Sequence, residues 1–409
     1  MRLYSLFLLS TIFFVALASA KFAYERGSCD ISIFSVVQDM LKSEVRALID
    51  PTLRYGTNKR IRYDLYTPYN PYERQILRTG DVAGLKRSFF NPKWPVRFSI
   101  HGWAGKGMSC SNAAIKDAYL ARGNFNVIIV DWSAHANDIN YARISKQLSS
   151  IAANFVKFVN FLHRETGVAY ENIYLIGHSA GSHFSGLAGK LIKPNRFGAI
   201  FALDPAGLTQ LSLSEKYRLA STDALYVESI HSDITLLGNP NTELSQASFY
   251  PNWGLGQPQC PNATSAEFDF SCDHFAALYY FAESVRNSKM FGAVKCNAFK
   301  NNNYSNIYSD SDISSSSTSN SDSNNINNNI DGKYNCSCEH GAAVDVCNAV
   351  TFMGGEPAVP KSGVYYLSTQ TRSPYGFGRL VHMRPAINPN FLKSSFLSQR
   401  VIDKIYFVS

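Results

Sequence analysis

The sequence predicts an α/β fold with a mostly parallel central sheet and helices on both faces. Apolar runs of strand length alternate with helix-length segments from about residue 94 to residue 230, a pattern typical of parallel strands joined by crossover helices. The chain has 409 residues and 45% hydrophobic content, enough to bury a large core. We therefore expect one α/β domain over residues 21–409.

The predicted elements follow one another in a regular order. The strand-like runs are "PVRFSIHGW", "VIIV" at 127–130, "NIYLIG", "FGAIFALDP" and "DALYVESIHSD". A helix is predicted before "NIYLIG", because Ile144, Leu148, Ile151, Phe155 and Phe158 recur at helical spacing. A small-residue helix, "AGSHFSGLAGKLI", follows that strand. Near the end of the chain, "GVYYLSTQTRSPYG" has strand character, and we expect it to close the edge of the sheet.

The first 20 residues have the layout of a secretory signal peptide. Arg2 precedes an apolar stretch at 6–17, and Ala18-Ser19-Ala20 provides small residues for cleavage. The apolar stretch is shorter than the ~20 residues that span a bilayer, and no second candidate span follows it. We expect a secreted, extracellular protein without a transmembrane segment.

Residues at about 300–332 form a polar Asn/Ser-rich segment of low complexity. The segment has too little apolar surface to offset the entropy lost on ordering. We therefore expect a disordered insertion.

Three N-glycosylation acceptors are compatible with export. They are Asn262, Asn303 and Asn335.

The eight cysteines are interpreted as disulfide candidates, since an even count in an exported chain favours disulfides over metal ligands. They are Cys29, Cys110, Cys260, Cys272, Cys296, Cys336, Cys338 and Cys347. The short spacing in Cys336-Ser-Cys338 is not that of a zinc site, and no metal is expected.

The formal charge of +8 can attract anionic lipid headgroups. No basic run marks a nucleic-acid groove, so no nucleic acid is expected.

Residues 177–181, Gly-His-Ser-Ala-Gly, match a nucleophile elbow between a strand and a helix. Such a sharp turn lifts the hydroxyl of Ser179 above the sheet. A Cβ at Gly177 or Gly181 is expected to clash with the neighbouring strand and helix. We interpret Ser179 as a nucleophile.

A nucleophilic serine needs a base, and the base needs an orienting carboxylate. In hydrolases with this elbow the chain order is Ser, then Asp or Glu, then His. Asp204 ends the next predicted strand, which places its carboxylate at the same sheet edge as Ser179. Asp233, which ends the following strand, is the main rival.

Nine histidines compete for the role of base. Three are set aside because they lie too near the elbow or lead a strand-end turn: His178, His183 and His231. His274 opens a helix beyond both acids and satisfies the chain order. His340 and His382 remain as alternatives.

An oxyanion in the tetrahedral intermediate needs preorganised N–H donors. The backbone N–H of Ala180 follows the nucleophile directly. A second donor is expected from the loop "SIHGWAG", where Trp103 supplies the N–H and His101 orients the loop. This chemistry requires no cofactor.

Several ordered motifs resemble the pancreatic lipase family of secreted α/β-hydrolases, over roughly residues 29–367. They are "FSIHGW", "VIIVDW", "IYLIGHSAGSHFSGLAGK", "ALDPAGL", "IHSD", "FYPNWG", "QPQC" and "CDHFAALYYFAESV". The resemblance implies the α/β-hydrolase fold, the triad Ser179, Asp204 and His274, and the oxyanion donors Trp103 and Ala180. One departure is visible. The family usually has Leu-Gly-Ala after the serine, where this chain has Ala-Gly-Ser, which implies a larger acyl pocket.

The resemblance also implies a lid closed by Cys260 and Cys272, with the eleven residues "PNATSAEFDFS" between them. So short a lid resembles those of secreted A1-type phospholipases, including insect and venom forms, and it leaves room for a charged headgroup. The A1-type pattern suggests a second disulfide between Cys29 and Cys110. The last four cysteines permit three pairings. The lipid-binding β-sandwich of the pancreatic enzymes is expected to be missing, since only about 40 residues follow Leu367.

These features lead us to expect a secreted carboxylic ester hydrolase that acts on glycerolipids at a membrane or lipid interface. The favoured activity is that of a phospholipase A1 releasing the sn-1 fatty acid. Two alternatives stay open. One is a triacylglycerol or diacylglycerol lipase, and the other is an inactive yolk or lipid-carrier protein with the same fold.

Overall fold

The computed structural model describes residues 21–24, 27–30, 61–138, 140–207, 214–235, 237–260, 271–296 and 346–382. Several predictions lie outside these ranges: the signal peptide, the Asn/Ser-rich insertion, the acceptors Asn262, Asn303 and Asn335, and the residues Cys336, Cys338 and His340. Only the backbone is described at Cys29, Cys110, Cys296 and Cys347. The pairing of those four cysteines stays a prediction.

The described residues form fifteen β-strands and six α-helices. The strands are β1 (Lys21–Tyr24), β2 (Gly27–Asp30), β3 (Arg62–Tyr66), β4 (Gln75–Leu77), β5 (Val96–Ile100), β6 (Asn126–Asp131), β7 (Ile173–His178), β8 (Phe197–Leu203), β9 (Ala224–Ile230), β10 (Ala247–Pro251), β11 (Gly292–Cys296), β12 (Val346–Asn348), β13 (Thr351–Phe352), β14 (Gly363–Leu367) and β15 (Leu380–His382). The helices are α1 (Val82–Arg87), α2 (Cys110–Arg122), α3 (Ser133–Ala136), α4 (Tyr141–Thr166), α5 (Ala180–Leu191) and α6 (Cys272–Arg286).

Eleven of these strands form the central sheet, in the order β13-β11-β14-β10-β9-β8-β7-β5-β6-β3-β4. The seven strands from β14 to β6 are parallel, and the four outer strands β13, β11, β3 and β4 pair antiparallel. One hydrophobic core lies under α4 and α5, and a second lies under α2 and α6. Helices therefore cover both faces of a mostly parallel sheet, which confirms the predicted fold class.

Helix α4 shows why periodicity predicted the core. Its five predicted positions, Ile144, Leu148, Ile151, Phe155 and Phe158, are all buried. Among them, Phe155 packs against Phe184 of α5 with ring centroids 5.5 Å apart. The apolar stripe of one helix thus meets its neighbour and the sheet beneath.

The position expected for the segment after the insertion is wrong. This segment forms β14, but the strand lies between β10 and β11 inside the sheet, and β13 is the edge strand at that end. Tyr365, Tyr366 and Leu367 are all buried, so both faces of the strand are covered. Its backbone pairs with β10 on one side and with β11 on the other, whereas an edge strand leaves one side of its backbone unpaired.

No helix within the described ranges has the length and hydropathy of a membrane span. The longest of them, α4, has 26 residues and carries a polar outer face.

A buried ion pair holds β5, the strand that leads to the predicted oxyanion loop. The guanidinium of Arg97 donates from Nε to Glu356 Oε2 at 3.0 Å and from Nη2 to Glu356 Oε1 at 2.8 Å. The same group lies 3.6 Å from the ring centroid of Tyr174 on β7. Because both charges are buried, each depends on the other for its stabilisation.

Replacement Arg97→Met is expected to lower the free energy of unfolding by about 3–5 kcal/mol, since it leaves the buried carboxylate of Glu356 without its partner. Urea unfolding followed by circular dichroism measures the change. The double variant Arg97→Met/Glu356→Gln, which removes both charges, should recover part of the loss. A double variant as unstable as the single one would contradict this account.

Candidate active site

Ser179 lies in a strained turn between β7 and α5. Its φ of 56° and ψ of −123° fall in a region that residues with a Cβ rarely adopt, at a cost of about 1–3 kcal/mol. Its backbone N–H donates to the carbonyl oxygen of Leu203 on β8 at 3.0 Å. The neighbouring strand therefore holds the turn in place.

The two glycines of the elbow are required by close backbone contacts. A Cβ at Gly177 would lie 2.3 Å from the carbonyl oxygen of Gly181, and a Cβ at Gly181 would lie 2.3 Å from that of Ile100 on β5. Neither neighbour is a flexible side chain that can move away. Any larger residue would separate α5 from the sheet and shift Ser179.

Asp204 and His274 meet at the carboxyl end of the sheet. Asp204 directly follows β8, and His274 lies in the first turn of α6. Nδ1 of His274 lies 2.5 Å from Oδ2 of Asp204, and both residues are buried. The other oxygen, Oδ1, accepts hydrogen bonds from the backbone N–H groups of Ser232 at 2.8 Å and Asp233 at 2.9 Å.

The rival acid, Asp233, uses its carboxylate to close its own turn. Its Oδ1 accepts from the N–H and the hydroxyl of Thr235 at 2.9 and 2.8 Å, and its Oδ2 accepts from the N–H of Leu237 at 2.9 Å. The hydrogen bond of His274 Nδ1 goes to Asp204 instead. The structure thus pairs the imidazole with the acid that chain adjacency favoured.

Three other histidines near this edge are bound to backbone groups. His178 Nε2 lies 3.0 Å from the carbonyl oxygen of His274, His183 Nε2 lies 2.8 Å from that of Ala206, and His231 Nδ1 lies 2.7 Å from that of Asn239. Burial lowers the pKa of His178 well below its ordinary value and lowers the pKa of His183 and His231 to about 4. All three are neutral hydrogen-bonding groups at physiological pH. His382 lies on β15, in a separate two-stranded sheet.

The loop after β5 lies directly against Ser179. A Cβ at Gly102 would lie 2.7 Å from Cβ of Ser179 and 3.2 Å from its Oγ. The loop that carries Trp103 therefore packs against the nucleophile. Ala180 is the first residue of α5, and its N–H therefore has no partner within the helix. Trp103 and Ala180 stay predictions as oxyanion donors.

His101 is hydrogen-bonded within the same loop. Its Nδ1 lies 2.9 Å from the carbonyl oxygen of Gly102, and its Nε2 accepts from the N–H of Trp132 at 3.2 Å. Both ring nitrogens are engaged with backbone groups. These contacts suit a residue that orients the loop.

Burial raises the pKa of the Asp204 carboxyl to about 6, and the hydrogen bond with His274 opposes that rise. The carboxylate is costly to keep charged without water. Its three hydrogen-bond donors supply the compensation.

Ligand atoms of Asp204, Asp233 and His274 lie within 4.8 Å of one another, as in a metal site. However, the carboxylate oxygens of both acids already accept hydrogen bonds from N–H groups. His274 Nδ1 also lies against the remaining oxygen of Asp204. These hydrogen bonds account for the proximity of the three groups without a metal ion.

Cys260 and Cys272 form a disulfide bond. Cys272 begins α6, two residues before His274. Residues 261–270, which include most of the predicted lid, lie outside the described ranges.

Sequence reasoning missed the groups that surround the acid and base. The donors at Ser232 and Asp233 are backbone N–H groups, which carry no residue-specific signal. Gln257 occurs in the quoted "QPQC" motif, yet its spacing does not indicate its contacts. They become visible only once β9, β10 and α6 are brought together.

Comparison with known proteins gives a family match and several relatives. The family model described as "Lipase" matches residues 34–315. "Lipase member H" from Danio rerio is 32% identical over 247 residues, which cover 60% of this chain and 53% of the relative. "Pancreatic triacylglycerol lipase" from Myocastor coypus is 31% identical over 262 residues, covering 59% of this chain and 57% of the relative. "Phospholipase A1 member A" from Mus musculus is 30% identical over 247 residues, covering 60% of this chain and 53% of the relative. The chain spans about half the length of these relatives.

Proposed function

Because the chain belongs to the lipase family, we propose that it is a carboxylic ester hydrolase of glycerolipids that works through Ser179, His274 and Asp204. The observation that carries the proposal is the 2.5 Å contact between Nδ1 of His274 and Oδ2 of Asp204. It leaves Nε2, the opposite ring nitrogen, to serve Ser179. A neutral imidazole held in that tautomer is the base that a serine nucleophile needs.

In the proposed mechanism, Oγ of Ser179 attacks the ester carbonyl while Nε2 of His274 takes its proton. The buried Asp204 holds the ring and stabilises the imidazolium that forms. The N–H groups of Trp103 and Ala180 stabilise the oxyanion of the tetrahedral intermediate. Nε2 then protonates the departing alkoxide, and water repeats the sequence on the acyl-enzyme to release the fatty acid.

For the substrate we propose the sn-1 ester of phospholipids. Support comes from the relative named phospholipase A1 member A and from the short segment between the bonded Cys260 and Cys272. A lid of this length buries little apolar surface, so opening at an interface matters less. The second candidate function is that of a triacylglycerol lipase. It is supported by the relative named pancreatic triacylglycerol lipase.

The layout of the first 20 residues supports export of the protein.

Lipid-product analysis tests this function. Phosphatidylcholine with different acyl chains at its two positions is expected to lose the sn-1 fatty acid, and triolein should react more slowly. A fluorophosphonate should label the wild-type chain, and Ser179→Ala should remove labelling and lower kcat by about 10⁶-fold. Dominant release from triolein would favour the lipase alternative. Failure of the wild-type chain to label or to release fatty acid would favour a lipid-carrier protein.

Substitution Asp204→Asn is expected to lower kcat by about 10³- to 10⁴-fold, because an amide N–H facing Nδ1 stabilises the wrong imidazole tautomer. Asp233→Asn serves as the matched variant. It disturbs the turn after β9 but not the bond to His274, so its loss should be at least about 10-fold smaller. Initial rates on a soluble ester measure both. Equal losses of kcat in the two variants would show that Asp204 does not have the acid role given to it here.

The pH dependence follows from the raised pKa of Asp204, about 6. Below that pH the Asp204 carboxylate takes up a proton and no longer stabilises the imidazolium that forms during the reaction, so kcat/KM is expected to fall roughly 10-fold per pH unit. Above it, kcat/KM should reach a plateau. The profile is measured with a soluble ester, which avoids pH effects on lipid packing. A flat profile from about pH 5 to pH 7 would contradict this assignment.

A further inference from the structure

Gln257 has every polar atom of its side chain engaged within the buried region behind the acid and base. Its Nε2 donates to the carbonyl oxygens of Ser232 at 2.8 Å and Pro251 at 3.0 Å. Its Oε1 accepts from Nδ2 of Asn252 at 2.7 Å and lies 2.9 Å from the hydroxyl of Tyr280. A primary amide offers two donors and one oxygen with two lone pairs. Both donors are used, the oxygen accepts from Asn252, and only 3% of the residue is exposed.

The side-chain amide of Gln257 reaches the acid through one peptide segment. Ser232, whose carbonyl oxygen accepts from Gln257, donates its N–H to Oδ1 of Asp204, as Asp233 does. Gln257 therefore fixes the segment that presents two of the donors to the carboxylate. Loss of this anchor would let both donors drift from Asp204.

The backbone of Gln257 reaches the base. Its N–H donates to Oδ1 of Asp273 at 2.7 Å, and Asp273 precedes His274 at the start of α6. Its carbonyl oxygen accepts from the N–H of Cys260. The disulfide partner of Cys260 is Cys272, which lies in the same turn of α6 as His274. One residue is thus connected to the acid on one side and to the helix of the base on the other.

We propose that Gln257 is a positioning residue, which sets the distance and angle between Asp204 and His274 without touching substrate. The inference rests on the proposed hydrolase function. Geometry errors of about 1 Å in such pairs can reduce rates about 100-fold. Gln257 holds both partners against that error, since each contact of its side-chain amide is buried and directional.

Gln259 provides a matched control two residues away. Its Oε1 lies 2.7 Å from the same Tyr280 hydroxyl, while its Nε2 is buried with no hydrogen-bond partner in the part of the chain that the structure describes. None of its described contacts joins Ser232, Asp204 or the start of α6. The same substitution at the two glutamines separates positioning of the acid from loss of an amide that contacts Tyr280.

The experiment compares wild type, Gln257→Met and Gln259→Met as full chains. For each we would measure the rate constant of fluorophosphonate labelling, kcat and KM on a soluble ester per labelled site, and the thermal midpoint. Gln257→Met is expected to lower the labelling rate constant and kcat by about 10- to 100-fold, with KM within about twofold. Gln259→Met should stay within about twofold of wild type in all three constants.

Equal labelling rate constants for Gln257→Met and Gln259→Met would overturn the inference, even if the first variant had the lower thermal midpoint. A wild-type chain that does not label would instead overturn the hydrolase proposal itself. If Gln257→Met gives no folded protein, Gln257→Glu provides the same test. It keeps the size of the side chain, replaces the donations to Ser232 and Pro251, and adds a buried carboxyl group that faces their carbonyl oxygens, so a loss of kcat at least as large is expected.

Discussion

The structure of this site depends on keeping a charged carboxylate in a place that water does not reach. Asp204 is fully buried, and removing such a group from water costs several kcal/mol unless hydrogen bonds replace its hydration. The replacements come from Ser232, Asp233 and His274. They lie on separate stretches of chain. The fold must therefore bring the end of β9 and the first turn of α6 to the end of β8.

The parallel sheet meets this requirement because its strands end at one edge. Backbone strain collects at the same edge. The positive-φ residues other than glycine within the described ranges are Ala104, Ser179, Asp204, Asn252 and Trp253, and each lies in a turn after β5, β7, β8 or β10. Strained conformations persist only where the surrounding contacts impose them. Their concentration at one edge indicates that packing elsewhere supports a site whose local geometry is unfavourable.

Local patterns in the sequence were sufficient to predict some of this, but not all. The apolar runs predicted β5 to β9, and the spacing of Ile144 through Phe158 predicted α4, because periodicity reflects burial directly. The position of β14 could not be predicted in this way, since an apolar run identifies a strand but not its neighbours. Chain order left His274 with two alternatives. Gln257 was beyond prediction, because its partners at Ser232, Pro251 and Asp273 are defined only by tertiary structure.

In the proposed mechanism the Asp204 and His274 pair changes charge, and the network around Gln257 would let it do so without rearranging. A hydrolase imidazole must alternate between neutral and cationic forms, and in water the solvent would reorient each time. Here the N–H groups facing Asp204 belong to a segment fixed by the Gln257 amide, and that amide is held in turn by Asn252, which bonds to Thr369 beyond β14. Dipoles anchored this way are already oriented when charge develops, which is the preorganisation that lowers a reaction barrier. A partly satisfied network would lack this rigidity, because an unpaired buried group moves toward any available partner.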